Sequence, residues 1–311
     1  VSPVSQSSCN QRKGRCGRVE NGVCIRLFSE DDFNKRPEYT KPEILRDNLA
    51  EVILRMIYLR LGDIATFPFV DAPDPRAVND GKKQLLELGA LEKDARSLMG
   101  LKLTAKGRFM AQIPLDPRFS CMLLEARQQH CLDEVNIICA FMSIQDPRER
   151  NRENATAADR AHKSFCCTES DFVTILNLWR QYQQVRKQSN SAAVRFCKAN
   201  HLSWRRMREW QDIYSQIGAV LKEREMQPEK LFVAGEGNYI CEFGQSSYAA
   251  IHKAILSGLL SQACIKIAPN MYRMGNGREV MIFPGSDTFN NGGDCMMAAE
   301  VVETSRVFAR M

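Results

Sequence analysis

The sequence predicts a multidomain, mainly α protein with a small β portion towards its C-terminal end and a piece of α/β structure at its N-terminal end. Three observations carry this. Apolar residues recur at helical spacing through most of residues 43–263. After Ala263 the pattern changes to short β-like runs divided by turn residues. Near the start, a basic segment containing glycines leads into a β-rich stretch, as a phosphate loop on an α/β scaffold would. With 311 residues the chain has room for two or three domains, and 44% hydrophobic and 26% charged residues are ordinary for a globular protein. A net charge of +6 is too mild to identify a polyanionic partner. No apolar run reaches the roughly 20 residues of a membrane span. The twelve cysteines form no disulfide-scaffold pattern and read as reduced thiols of a cytoplasmic protein.

The α/β piece occupies residues 1–36. Gln11-Arg12-Lys13-Gly14-Arg15-Cys16-Gly17-Arg18 places four cations and two glycines in eight residues. Glycine admits close backbone approach, and arginine offers a planar fork of donors matched to phosphate oxygens. A terminal amide such as Gln11 both donates and accepts, so it can hold a water. The segment reads as a phosphate clamp, with a flexible basic arm as the alternative. Asn21-Gly22 is a turn signal, and Val23–Phe28 is a run of strand length and composition. Ser29 caps a short turn through Asp32.

Residues 37–114 read as helix, loop, helix, strand, helix, the outline of a winged-helix domain. The first helix is expected over 43–59, from Ile44, Leu45, Leu49, Val52, Ile53 and Met56, and Gly62 ends it. The second covers Ala77–Leu88 and stops at Gly89. A strand over Leu98–Leu103 and a helix from Thr104 to Ile113 follow. The second helix carries Lys82, Lys83 and Glu87 but no series of Arg, Asn and Gln aimed at bases, so packing is favoured over base reading.

Residues 115–263 are expected to be a helical bundle, with helices at 118–130, 132–144, 170–187, 191–200, 203–224 and 247–263, and a charged loop over Asp146–Asp159. Within it, Arg195, Lys198, Arg205, Arg206 and Arg208 alternate with Phe196, His201, Trp204 and Trp210. Cations interleaved with aromatics suit single-stranded nucleic acid, and a solvated basic face over an ordinary core is the competing reading. His162/Cys166 and Cys197/His201 each share a helical spacing that zinc could use, but no Cys-x-x-Cys pair supports a metal and none is expected. Residues 264–311 start with strands at Cys264–Ala268, Met271–Met274 and Glu279–Phe283. Met296–Arg310 is open between a strand pair and a helix.

The clamp, with Pro3-Val4-Ser5 and Asn10 before it and Gly22 and Arg26-Leu27-Phe28 after it, resembles the last conserved motif of the DEAH-box RNA helicases. Cys16 stands where alanine is more usual, an exchange of one small residue for another. The wording of residues 11–70 is nearest the bacterial, HrpA-type members. The resemblance implies that residues 1–36 are the end of a second RecA-like domain. Gln11 would position the attacking water, Arg15 and Arg18 would be arginine fingers, and Gly14 would lie with them against the nucleotide. Phe196–Ser203 with Arg205–Glu209 is similar to the helix pair of the family's ratchet domain. That makes Asn200, Arg205, Arg206 and Lys198 the expected RNA contacts. Phe283-Pro284-Gly285-Ser286 and Ala299–Ser305 resemble the start of an OB-fold, in which the second segment is strand.

The implied function is part of an ATP-dependent RNA helicase moving 3′→5′, with ATP and Mg2+ bound mainly by an N-terminal RecA-like domain outside this sequence. Single-stranded RNA is the implied partner, the ribosome or mRNA remains open, and a monomer is expected. The sequence holds no Gly-x-x-x-x-Gly-Lys-Ser/Thr and no Asp-Glu-Ala-His, so these 311 residues alone are expected not to hydrolyse ATP. Starting at Val1 just before a motif that belongs at a domain's end, and stopping at Met311 before a barrel could close, the sequence reads as a fragment. A non-enzymatic RNA-binding adaptor and a DNA-acting helicase are the alternatives.

Overall fold

A computed structural model describes residues 3–45, 48–97, 100–226, 246–304 and 306–310. The chain divides into two compact units, Val1–Lys83 and Gln84–Met311.

In the first unit, α1 (Gln6–Gly14) is capped by Ser5, whose hydroxyl accepts from the Ser8 N–H. Helix α2 (Glu30–Lys35) is capped by Ser29 in the same way, with three acids in its first turn complementing the helix dipole. The expected helix over 43–59 is divided. Glu43–Leu45 closes a 3-10 turn on Pro42, and α3 (Ala50–Tyr58) starts where Asn48 Oδ1 accepts the Ala50 N–H at 2.8 Å. Periodicity extended the helix through Ile44 and Leu45, but the capping asparagine sets the boundary. At its other end Arg60 takes a left-handed φ of 58°, ending the helix before Gly62. The core of this unit includes Leu49, Ile53, Leu54, Met56, Ile64 and Val78. Gly81 belongs there for lack of space: a Cβ would stand 2.8 Å from Ile53 Cδ1 and 3.0 Å from the Ala50 nitrogen.

The strand expected at Val23–Phe28 is not formed. Val19, Val23, Ile25 and Leu27 are 81–96% exposed, and no strand among the described residues lies beside them. The composition suits a strand, but a strand needs a neighbour to accept its backbone hydrogen bonds, and the described residues of this unit contain none. The basic segment accordingly leads into a loop. Gly22 packs tightly enough on the preceding turn that a Cβ would meet the Cys16 carbonyl at 2.1 Å.

Helix α4 (Pro75–Glu87) ends at Gly89, with φ +68°. In the second unit β1 (Leu91–Lys93) pairs antiparallel with β2 (Leu101–Leu103), Leu91 opposite Leu103. Sequence periodicity indicates only the second strand of this hairpin; Leu98, its expected start, lies outside the described residues. Helix α5 (Ala105–Met110) is capped by Thr104, whose Oγ1 accepts the Gly107 N–H at 2.9 Å and donates to Gly89 O at 2.7 Å.

The bundle follows: α6 (Pro117–Gln128), α7 (Leu132–Met142), α8 (Ala155–His162), α9 (Asp171–Arg186), α10 (Asn190–Ala199), α11 (Trp204–Glu223) and α12 (Ser246–Gly258). Helix α8 replaces part of the expected charged loop. Its alanines favour helix, but only Ala158 is buried, so the apolar stripe that reveals the other helices is missing. One core runs through the bundle, centred on Met122, Ile138, Phe172, Leu176, Trp179 and Trp210.

The chain ends in a six-stranded mixed sheet: β3 (Ala263–Ala268), β4 (Met271–Met274), β5 (Glu279–Ile282), β6 (Cys295–Met297), β7 (Glu300–Glu303) and β8 (Val307–Arg310). The order is β6-β3-β4-β5-β8-β7, with β5–β8 the parallel pair. The open reading of Met296–Arg310 resolves as strands, whose Val301, Ala309 and Val307 pack with Tyr272, Val280 and Ile282.

Candidate phosphate clamp and nucleic-acid face

The clamp is built on α1, and only its first half is tied down. Gln6 N donates to Pro37 O and Ser7 N to Glu38 O, both at 2.9 Å, and Ser5 Oγ meets Thr40 Oγ1 at 2.8 Å. Arg36 pairs with Asp32 at 2.5 Å and lies 3.8 Å over the Phe28 ring. Arg26 donates to Asn10 Oδ1 at 2.7 Å and covers Phe33. The second half is free: Gln11, Arg12, Lys13, Gly14, Arg15 and Arg18 are all exposed. In place of the expected phosphate loop, Gln11–Gly14 form the last turn of a helix. A helix C-terminus presents carbonyls and the negative end of its dipole, so the backbone here offers an anion nothing. Any hold on phosphate comes from the side chains. Arg15 and Arg18 have no carboxylate partner among the described residues.

The second candidate region is the basic stretch of α10 and α11, whose cations and aromatics part company in three dimensions. Arg195, Lys198, Arg205 and Arg208 are exposed. Met207, Trp210, Ile217 and Leu221 form the buried stripe of α11. Trp210 is fully buried, donates from its indole to Ile137 O at 2.9 Å, and meets Trp179 and Phe141 at 4.7 and 5.0 Å. Phe196 packs on Phe165 and Trp204 on Tyr182. The expected interleaving of charge with stacking rings is therefore one helix pair with a basic outer face and an aromatic inner face.

Asn200 and Arg206 are already engaged. Asn200 Nδ2 donates to Phe196 O at 2.9 Å, closing α10. The Arg206 guanidinium donates to Asp146 O at 2.9 Å and Gln145 Oε1 at 2.7 Å. The same loop is stitched to the α10–α11 turn through Ser203 N–Pro147 O and Glu149 N–His201 O. Arg148 forks onto both oxygens of Asp146. These contacts fix the angle between the two helices and hence the basic face.

The start of α9 is clasped to the loop that follows β5. Ser286 Oγ donates to Asp171 Oδ2 at 2.5 Å, the Asp287 N–H to Asp171 Oδ1 at 2.8 Å, and Thr174 Oγ1 to Asp287 Oδ2 at 2.7 Å. No sequence signal reveals this clasp, because its halves are more than a hundred residues apart. Burial pushes the Asp171 carboxyl up to about 6; the hydrogen bonds from Ser286 and Asp287 oppose the shift without cancelling it. A raised carboxylate contributes stability fully present below its unfolded value of 3.8 and lost as pH rises through about 6. The difference is on the order of 3 kcal/mol. Asp171→Asn is expected to remove that part of the pH dependence, so urea midpoints followed from pH 4 to 7 should fall less in the variant. Parallel pH profiles would show that Asp171 does not titrate as described.

The His162 ring lies against the backbone of Asn200 and His201, which brings the two zinc-compatible pairs near each other without building a ligand set. Among the described residues no group of three or more His, Cys, Asp or Glu side chains is placed to hold a metal. Burial pushes the Cys166 and Cys197 thiols up to about 12 and about 11. No helix among the described residues is long and apolar enough to cross a membrane.

Residues 116–175, from α6 into the start of α9, match the family described as Helicase associated domain (HA2), ratchet-like. Over its whole length the chain is similar to the ATP-dependent RNA helicase HrpA of Escherichia coli (strain K12), 47% identical over 313 residues and covering 23% of that protein. The ATP-dependent RNA helicase HrpA homolog of Haemophilus influenzae is also 47% identical, over 315 residues and 23% of its length. The pre-mRNA-splicing factor ATP-dependent RNA helicase DEAH10 of Arabidopsis thaliana is 29% identical over 324 residues, 42% of its length. The chain thus spans less than a quarter of the length of the two bacterial relatives. From end to end the chain is thus similar to a part of the HrpA-type ATP-dependent RNA helicases, and within it residues 116–175 match the ratchet-like helicase associated domain.

Proposed function

We propose that these 311 residues are the part of an ATP-dependent RNA helicase that completes the ATP site and holds single-stranded RNA between steps of 3′→5′ movement. The observation that carries this is the collinear 47% identity to proteins named ATP-dependent RNA helicases, extending through both the clamp and the basic face. In this reading residues 1–36 end a RecA-like domain, 37–114 are a winged helix that packs rather than reads bases, 115–263 are the ratchet, and 264–311 begin an OB-fold. The unpaired Val23–Phe28 segment would find its sheet in the remainder of the RecA-like domain. Gln11 holds the attacking water, Gly14 lets the nucleotide close on α1, and Arg15 and Arg18 stabilise charge on the transferred phosphoryl group. ATP and Mg2+ are held mainly by residues outside this sequence, so the chain alone turns over no ATP. The enzyme acts as a cytoplasmic monomer, on mRNA or at the ribosome.

On RNA the roles divide. Lys198 and Arg205, with Arg195 and Arg208, face the phosphates, whereas Asn200 and Arg206 hold the junction that presents them. Because the aromatics face inward, this surface grips the backbone and is indifferent to base. Binding of single-stranded RNA is therefore expected to weaken steeply with salt. Each phosphate neutralised on a single strand adds about 0.7 to the log–log slope, so replacing the four cations by alanine should flatten it by about 3. A slope unchanged in that variant would remove the face from the RNA path. Preference for a defined duplex DNA site would instead favour a DNA-acting protein.

A further inference from the structure

The sheet leaves part of one strand without a neighbour. β3 pairs with β4 from Cys264 to Ala268 but with β6 only from Ala263 to Ile265. Along the unpaired part lies an open cavity of about 360 Å3, lined by residues 266–270, Asn290 and Asp294. That volume falls within the range of small-molecule sites.

The walls of this cavity are fixed in advance. Asn270 and Asn290 both adopt left-handed φ, 57° and 69°. They lock together, Asn270 Nδ2 donating to Asn290 Oδ1 at 2.7 Å and the Asn290 N–H to Asn270 Oδ1 at 2.8 Å. The Tyr272 hydroxyl donates to Gly293 O at 2.8 Å. Gly292 beside it has no room for a side chain, since a Cβ would stand 2.3 Å from that hydroxyl. Lys266 donates from its backbone to Asp294 O and from its ammonium to Gly292 O, both at 2.8 Å. Among the described residues the Asp294 carboxylate alone of these groups has neither a hydrogen bond nor an ion pair. The cavity therefore offers one unoccupied anionic acceptor, an ammonium with donors to spare, and an apolar ledge of Ile267, Ala268 and Pro269.

We propose that this cavity receives one unpaired guanine of the single strand held by the helical face, an assignment that rests on the RNA-binding reading above. Guanine alone among the four bases presents two adjacent donors, N1–H and the N2 amino group, which a carboxylate accepts side by side. Its O6 and N7 then accept from donors such as the Lys266 ammonium. Adenine and cytosine set an acceptor beside their amino group, which the carboxylate repels, and uracil offers one N–H between two carbonyls. Ile267 and Pro269 supply the flat apolar contact a base needs.

The test is titration of the full chain with GMP, AMP, CMP and UMP, alongside Asp294→Asn and the cavity-filling Ile267→Arg. Both positions are exposed, so neither change threatens folding. The expected result is saturable GMP binding at least about tenfold tighter than the other three, lost in both variants. Equal binding of all four, or a guanine preference that survives Asp294→Asn, overturns the pocket. So does occupation of the free β3 edge by an extended peptide that GMP fails to displace. Failure of the RNA reading shows separately, as absence of salt-dependent binding to an oligouridine, a ligand that makes no use of the pocket.

Discussion

Arg15→Ala or Arg18→Ala, introduced into the full-length protein that contains this chain, is expected to lower ATP turnover by about a thousandfold or more while leaving nucleotide affinity within a few fold. An arginine finger contributes about 10³–10⁵ to phosphoryl transfer because its charge meets the equatorial oxygens only as negative charge develops there. The structure gives reasons to expect a clean chemical effect. Both side chains are exposed, and among the described residues neither has a carboxylate partner to leave unpaired. Helix α1 is held through Ser5, Gln6 and Ser7, at the opposite end from the arginines. Truncating either arginine therefore removes no contact that positions α1. Arg15→Lys should recover little, since an ammonium keeps the charge but not the two-pronged donor geometry. Single-turnover hydrolysis, with nucleotide binding measured separately, decides the matter. Unaltered turnover would end the finger role, and a matched loss of affinity would make the residue a ground-state ligand instead.

The clamp also shows what a sequence can and cannot express. Residue types and spacing at Gln11–Arg18 carry the proposed chemistry, because phosphate recognition depends on which side chains occur together. They do not state the backbone. Gln11–Gly14 continue a helix that starts at Ser5, because the Ser5 cap and the ties to residues 36–40 lie outside the motif. The adjoining Val23–Phe28 run expresses a preference for strand that only a neighbouring strand can satisfy, and none lies beside it among the described residues. The bundle was legible where a buried run is long and largely apolar, as in α7 and α9, or where one face is apolar, as in α11, and illegible in α8, where alanine forms a helix without a stripe. The Asp171–Ser286–Asp287 clasp and the cavity beside β3 arise from residues distant in sequence. No local pattern encodes them.

Trp210 separates the two readings of the basic–aromatic stretch more sharply than any charge does. Were it a stacking platform, Trp210→Ala would cost about 1–3 kcal/mol of RNA affinity and leave stability unchanged. The structure requires the reverse. The ring is wholly buried between Trp179 and Phe141, and its N–H is spent on Ile137 O. Truncation to alanine removes a large apolar volume from the centre of a close-packed core, which costs about 3–5 kcal/mol because the surrounding helices collapse only partly. For a unit of this size each kcal/mol moves the melting midpoint by roughly 2–4 °C, so a fall of about 10 °C is expected. Trp210→Phe retains most of the packing and loses the hydrogen bond, which places it at about 1–3 kcal/mol. The phenylalanine variant, still folded, should bind single-stranded RNA as the parent does, because Arg205 and Arg208 lie on the opposite side of the same helix. Urea denaturation and RNA titration of the two variants make the comparison. A Trp210→Phe protein of unchanged stability but weakened RNA binding would place the indole on the RNA side, and the inner aromatic face of α11 would have to be abandoned.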